Sequence, residues 1–120
     1  MTTKEIGDRG EAVALTYLAD KGYNILERNY RYQKAEVDII AGNTDFIVIV
    51  EVKTRKQNSL TAPEDSVNQK KQQLLISAAQ HYIEENDLDK EARFDIISII
   101  YSGDEYQIKH IEEAFYPKVG

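Results

Sequence analysis

Two hydrophobic rhythms alternate along this chain. Over residues 3–21, Ile6, Val13, Ala14, Tyr17 and Leu18 recur at helical spacing and form one apolar arc. Gly22 follows the last turn, where a helix commonly stops. Residues 23–32 then predict a strand. A second strand is predicted over 36–41, ended by Gly42-Asn43. The third, 46–53, reads Phe-Ile-Val-Ile-Val-Glu-Val-Lys, almost entirely β-branched or aromatic up to its charged end. Helical spacing returns over 66–85, where Val67, Leu74, Leu75, Ala78, Ala79 and Tyr82 form the stripe and Ser66 is the expected N-cap. A fourth strand is expected over 93–100 and a fifth over 106–111. The order αβββαββ predicts an α/β fold with a mixed central sheet flanked by helices. If the third and fourth strands are parallel, the helix between them makes a right-handed crossover. No linker or repeat divides the chain, so residues 1–120 are expected to form one domain; the only long turn-like stretch is 57–65, which contains Pro63.

Composition narrows the chemistry. There is no Cys, which excludes disulfides, thiolate zinc sites and Cys nucleophiles. With His81 and His110 the only histidines, a His-rich metal site is excluded too. No apolar run approaches the roughly 20 residues of a membrane span, and residues 1–10 lack the apolar segment of a signal peptide. The expectation is a cytoplasmic protein with no membrane partner. Net charge is −6, and all of the excess lies in the second half: residues 1–60 carry nine basic and nine acidic side chains, residues 61–120 six and twelve. That balance argues against a protein that coats nucleic acid non-specifically, since such binding rests on phosphate neutralisation. It leaves room for one local basic surface.

The third strand carries the candidate chemistry. Strand alternation puts Ile47, Ile49, Glu51 and Lys53 on one face, so two inward Ile are followed by a carboxylate and an ammonium. Charges are seldom buried unpaired. In the second strand, alternation puts Glu36 and Asp38 on the face of Ile40, and a short hairpin at 42–45 would let Asp38 converge on Glu51. Two carboxylates suit a hard divalent ion such as Mg2+ or Mn2+, which keeps further positions for water and a substrate phosphate. A neighbouring Lys suits an attacking water or the charge of a phosphoryl transition state. The alternative is plain structure: Asp38 ends a strand, and Glu51 and Lys53 form an exposed edge pair.

The same residues carry a resemblance. Asp38 with Glu51-Val52-Lys53, after an N-terminal helix bearing Glu11, resembles the PD-(D/E)xK core of restriction-endonuclease-like enzymes and archaeal-type Holliday junction resolvases. More closely, the chain is similar to the YraN-like family of small bacterial proteins. The matching stretches are Gly7-Asp8-Arg9-Gly10-Glu11, Gly22-Tyr23, Arg28-Asn29-Tyr30-Arg31, Glu36-Val37-Asp38-Ile39-Ile40-Ala41, residues 47–55, Lys71, Ala78-Ala79 and Arg93-Phe94-Asp95. Ala35 stands where the family usually has Gly, and Val37 where the superfamily motif has Pro. The resemblance implies a restriction-endonuclease-like αβββαβ core. It further implies a metal-dependent nuclease acting on branched, nicked or single-stranded DNA in repair or recombination, with a homodimer as one arrangement. Asp38 and Glu51 would hold the metal, and Glu11 and Lys53 would complete the catalytic set. A non-catalytic nucleic-acid- or protein-binding module that keeps the fold is the rival reading.

Several residues carry two readings. Glu11 is either a border residue of the first helix or a third acid of the site. Glu36 is an extra ligand or an arginine partner, and Lys71 a snorkelling side chain or a phosphate contact. Arg28, Arg31, Lys34, Arg55, Lys56, Lys70 and Lys71 either rim the acidic site as a nucleic-acid surface or are scattered solubilising charges. Tyr30 and Tyr32 lie in the same region and are placed to stack on a base. Asp95 is expected to close a structural ion pair with Arg93 or a neighbour, and His81 and His110 to be structural or exposed.

Overall fold

The computed structural model describes residues 2–57 and 66–117. Seven elements follow in the expected order: α1 (Thr3–Asp20), β1 (Asn24–Tyr32), β2 (Ala35–Gly42), β3 (Phe46–Lys56), α2 (Gln69–Glu85), β4 (Glu91–Ser102) and β5 (Glu105–Phe115). The strands form one sheet in the order β1-β2-β3-β4-β5. β3 and β4 run parallel, joined across α2, and the other neighbours are antiparallel. This is the mixed α/β core expected of a nuclease-like αβββαβ fold, with β5 added at the edge.

Local chemistry sets the ends of the helices. Thr2 caps α1 and shares a capping box with Glu5. At the other end Gly22, at φ +92°, lets Tyr23 N–H return to Leu18 O and its own N–H to Ala19 O, satisfying two orphan carbonyls. The N-cap of α2 is Asn68, not Ser66: the Asn68 side chain accepts the Lys71 N–H at 2.9 Å, and the helix begins at Gln69. Asn68 thereby fixes the first turn, which carries Lys70 and Lys71. The turn between β2 and β3 is closed by Asn43, whose Oδ1 accepts the Asp45 and Phe46 N–H groups. β3, β4 and β5 all extend beyond their expected limits, because apolar periodicity fades before main-chain pairing does.

Each sheet face is covered by one helix. α1 sends Ala14 and Leu18 against Ile39, Ala41, Val48, Val50, Ile97 and Ile99. α2 covers Ala35, Val37, Ile40, Ile47, Ile49, Phe94 and Ile96 with Leu75, Ala78, Ala79 and Tyr82. Burial on both faces explains why β3 and β4 read as almost unbroken apolar runs.

The feature that makes a site is a fork in the sheet. β2 and β3 pair only from Ile39↔Val50 to Gly42↔Ile47. Beyond that, residues 35–37 of β2 pair with β1 alone, and residues 51–56 of β3 with β4 alone. Asp38 and Glu51 are the next positions in register, one on each branch. Alternation also slips here. Ala35, Val37 and Ile40 all pack toward α2, whereas Ile39 and Ala41 pack toward α1. Asp38 therefore does not share the face of Ile40 and Glu36 in the simple way that strand periodicity implies.

Candidate functional site

The Asp38 side chain reaches along the hydrogen-bonding direction of the sheet. Its Oδ2 accepts the Val52 N–H at 2.8 Å, where a main-chain partner would have continued the ladder. This bond closes the crotch of the fork and holds Asp38 beside Glu51. Burial pushes the Asp38 carboxyl up to about 7, and the Glu51 charge adds to the rise; the Val52 N–H works against it.

Glu51 is buried, at 5% exposure. Its Oε1 takes two ammonium groups: Lys71 from α2 at 2.7 Å and Lys53 from its own strand at 3.5 Å. Oε2 is buried with no hydrogen-bond partner among the described residues. Lys53 and Glu51 share a face, as alternation requires. Burial draws the Lys53 ammonium below its ordinary range, with Lys71 adding to this. For Lys71, burial acts downward, but the bond and charge of Glu51, with Lys53 and the Asp38 charge, together outweigh it and the net shift is upward.

Glu11 comes from α1. Gly10 brings that helix down onto β3 so closely that a Cβ on Gly10 would collide with Thr54 Oγ1. Glu11 consequently lines the same cleft as Asp38 and Glu51. Burial raises its carboxyl, and the Asp8, Glu36 and Glu51 charges add to that while Arg28 opposes it. Glu36 is exposed and pairs with Arg31 at 3.5 Å.

The acidic pair lies where two clefts meet. One, about 920 Å³, runs between the first half of α1, the end of β3 and the β4–β5 turn, and includes Arg55 and Lys56. The other, about 430 Å³, lies between β2 and the start of α2 and includes Lys34, Glu36, Lys70 and Lys71. Thus Arg55, Lys56 and Lys71 border the site, Arg28 acts on it through Glu11, and Arg31 is tied to Glu36. Tyr30 and Tyr32 are engaged elsewhere: Tyr30 meets Tyr82 edge-on at 5.3 Å and Tyr32 stacks on His81 at 4.0 Å.

Among the described residues, no group of three or more His, Asp or Glu is gathered to hold one metal. The pair itself fits a hard divalent ion: two convergent carboxylates, one with a buried oxygen lacking a partner, suit Mg2+ or Mn2+ completed by water and substrate. Glu11 stands near that position rather than in it.

A second polar cluster lies on the α1 side of the sheet. Asp95, fully buried, accepts from Arg93 Nε and Nη2 at 3.0 and 2.8 Å and from the Glu113 N–H at 3.2 Å. Its Oδ2 lies 2.7 Å from His110 Nε2, and His110 Nδ1 lies 3.0 Å from the Tyr17 hydroxyl. Burial alone would raise the Asp95 carboxyl, but the bonds from His110 and Arg93 outweigh it and hold it below its ordinary value. Asp95 thus closes the structural pair expected with Arg93, and His110 joins it. No sequence motif marked His110.

The pattern of the uncharacterised protein family UPF0102 matches residues 10–99. The chain belongs to this family. A UPF0102 protein of Christiangramia forsetii is 50% identical over 112 residues, covering 93% of this chain and 94% of that protein. One from Flavobacterium psychrophilum is 47% identical with the same coverage. A relative from Thermodesulfovibrio yellowstonii is 45% identical over 116 residues, covering 97% of this chain and all of that protein. The UPF0102 match spans Glu11, Asp38, Glu51, Lys53 and Lys71 together, so it embraces every element that builds the fork. No helix of the described residues is long and apolar enough to cross a membrane.

Proposed function

We propose that this protein is a metal-dependent nuclease that cleaves DNA at branched, nicked or single-stranded positions, in repair or recombination. One observation carries the reading: the fork sets Asp38 and Glu51 side by side with a buried, unpartnered Glu51 oxygen and the Lys53 ammonium 3.5 Å from the same carboxylate. A structural ion pair needs one carboxylate for its cation, and a second against it raises the cost of charging either.

Asp38 and Glu51 would hold Mg2+ or Mn2+, which when bound polarises a phosphoryl oxygen and acidifies water. The chain's own groups do the rest. Asp38 is fixed by Val52 N–H, so its free lone pairs face the fork. Lys53 offers a donor for the attacking water or the developing phosphoryl charge. Glu11 adds negative potential that favours a cation. Lys71, Arg55 and Lys56 offer cations to flanking phosphates on the two sides of the site.

The test is cleavage of labelled junction, flap, nicked, single-stranded and duplex DNA, with and without Mg2+ or Mn2+. Metal-dependent cleavage that Glu51→Gln and Lys53→Ala abolish, with folding intact, supports the reading; no cleavage of any substrate overturns it. A second reading rests on the 2.7 Å Lys71–Glu51 contact, which neutralises the site from within: a binding module that keeps the fold without catalysis. Metal-independent DNA binding that survives Glu51→Gln selects it.

A further inference from the structure

The 920 Å³ cleft is larger than a metal and one phosphate require, and it falls within the range of small-molecule sites. Its far wall has a composition of its own. Ile6 and Arg9 come from one face of α1, and Tyr101 from the end of β4. The Arg9 guanidinium lies over the Tyr101 ring at 5.7 Å, and Tyr106 meets that ring edge-on at 6.0 Å. The Tyr101 hydroxyl is buried with no hydrogen-bond partner among the described residues. The hydroxyl is closed to solvent while the residue is only partly buried, so the ring is what Tyr101 presents to the cleft. Arg55 and Lys56 lie between this wall and the acidic pair; Asp104, at the outer rim, disfavours a phosphate there.

We infer that this cleft is a subsite for one unpaired nucleotide adjoining the phosphate to be cleaved, with Arg9 and Tyr101 as its recognition residues. The inference rests on the nuclease reading and sharpens it. A guanidinium plane backed by an aromatic ring suits the face of a base, as does the flank of Ile6. Arg55 and Lys56 suit the phosphate that links the nucleotide to the acidic pair. A base inside a duplex is stacked on both faces, so it cannot lay a face against this wall. The substrate class that follows is a strand unpaired on one side of the cleaved bond, in preference to intact duplex.

The test uses the full chain with Mg2+ and two small phosphodiesters, thymidine 5′-(p-nitrophenyl phosphate) and methyl p-nitrophenyl phosphate. The first carries a nucleoside and the second does not. Arg9→Ala and Tyr101→Leu are expected to lower the kcat/KM preference for the nucleoside ester about tenfold, through KM. An unchanged preference, or none in the wild type, overturns the subsite. Should neither ester nor DNA be cleaved, the nuclease reading fails, and the subsite is judged by binding instead. Fluorescence anisotropy with Ca2+ would compare labelled single-stranded and duplex DNA, with an RNA strand to separate deoxyribose from ribose recognition. Arg9→Ala weakening the single strand at least tenfold more than the duplex supports the subsite; equal weakening, or none, overturns it.

Discussion

Asp38 accepts the Val52 main-chain N–H at 2.8 Å, at the point where the pairing of β2 with β3 ends. A side chain thus replaces a ladder bond, and the carboxylate is positioned by backbone geometry rather than by a cation. The pH dependence of stability follows from this placement. Burial and Glu51 raise the Asp38 carboxyl from 3.8 to about 7 in the folded chain. A raised acid contributes stability below its unfolded value and loses it as pH climbs through the folded value. Asn at position 38 keeps an acceptor for Val52 N–H without the charge. Asp38→Asn is therefore expected to be more stable than wild type by about 2–4 kcal/mol at pH 8 and nearly equal at pH 4. Urea unfolding at both pH values checks this; a variant less stable at pH 8 contradicts it.

The Asp95 cluster should show the opposite slope. Its carboxyl is held below its ordinary 3.8 by His110 and Arg93, so its contribution is present above 3.8 and lost as pH falls below it. Asp95→Ala leaves the buried Arg93 only the Tyr23 hydroxyl and a longer 3.8 Å pair with Glu112, and should cost about 3 kcal/mol. Acid titration of the midpoint in wild type and variant measures both effects, and a variant with an unaltered acid limb would remove Asp95 from the account.

Lys53 and Lys71 touch the same Glu51 oxygen but should separate in solution. On the proposed nuclease reading, Lys53→Met removes a donor to the phosphate being cleaved, and loss of one such donor costs about 3–4 kcal/mol of barrier. Magnesium affinity should hold or rise, since a competing cation has gone. Lys71→Met removes the closer competitor and should raise magnesium affinity more. Calorimetric titration beside a cleavage assay distinguishes them. Weaker metal binding in both variants would mean that the ammonium groups organise Glu51 rather than compete for it.

Gly10 and Thr54 should behave as a coupled pair. Gly10→Ala places a Cβ against Thr54 Oγ1 and is expected to destabilise by about 1–3 kcal/mol. Thr54→Ala removes the obstructing hydroxyl, so the double variant should recover part of that loss. Additive thermal shifts in the two single variants and the double would refute direct contact.

Much of the fold was legible because both sheet faces are covered. β3 and β4 reveal themselves by continuous apolar runs, and α1 by an arc that ends at Gly22. Asp38, Glu51 and Lys53 were legible through motif spacing, since Glu51 and Lys53 obey strand alternation. Asp38 is close to Glu51 for a reason that alternation does not express, namely a ladder that stops and a side chain that turns into its plane. Arg9 and Tyr101 were invisible as a pair: 92 positions of chain separate residues that meet only when α1 lies on β3 and β4. His110, expected to be structural or exposed, is structural; its partners Asp95 and Tyr17 were illegible for the same reason, because they come from other elements. The expectation that residues 57–65 form a turn-like stretch falls, beyond Gln57, outside the described residues.

The short seam between β2 and β3 has a mechanical consequence. Four register pairs join the leaf that carries Asp38 to the leaf that carries Glu51. The gap between the two carboxylates is then a hinge coordinate, and whatever repulsion Lys53 and Lys71 leave uncompensated bears on it. A divalent cation between them would act as a staple, fastening the leaves where hydrogen bonding has given out. The Val52 amide proton, bonded to Asp38 at the hinge line, is the natural gauge of that fastening: magnesium should slow its exchange with solvent more than that of amides deep in β4.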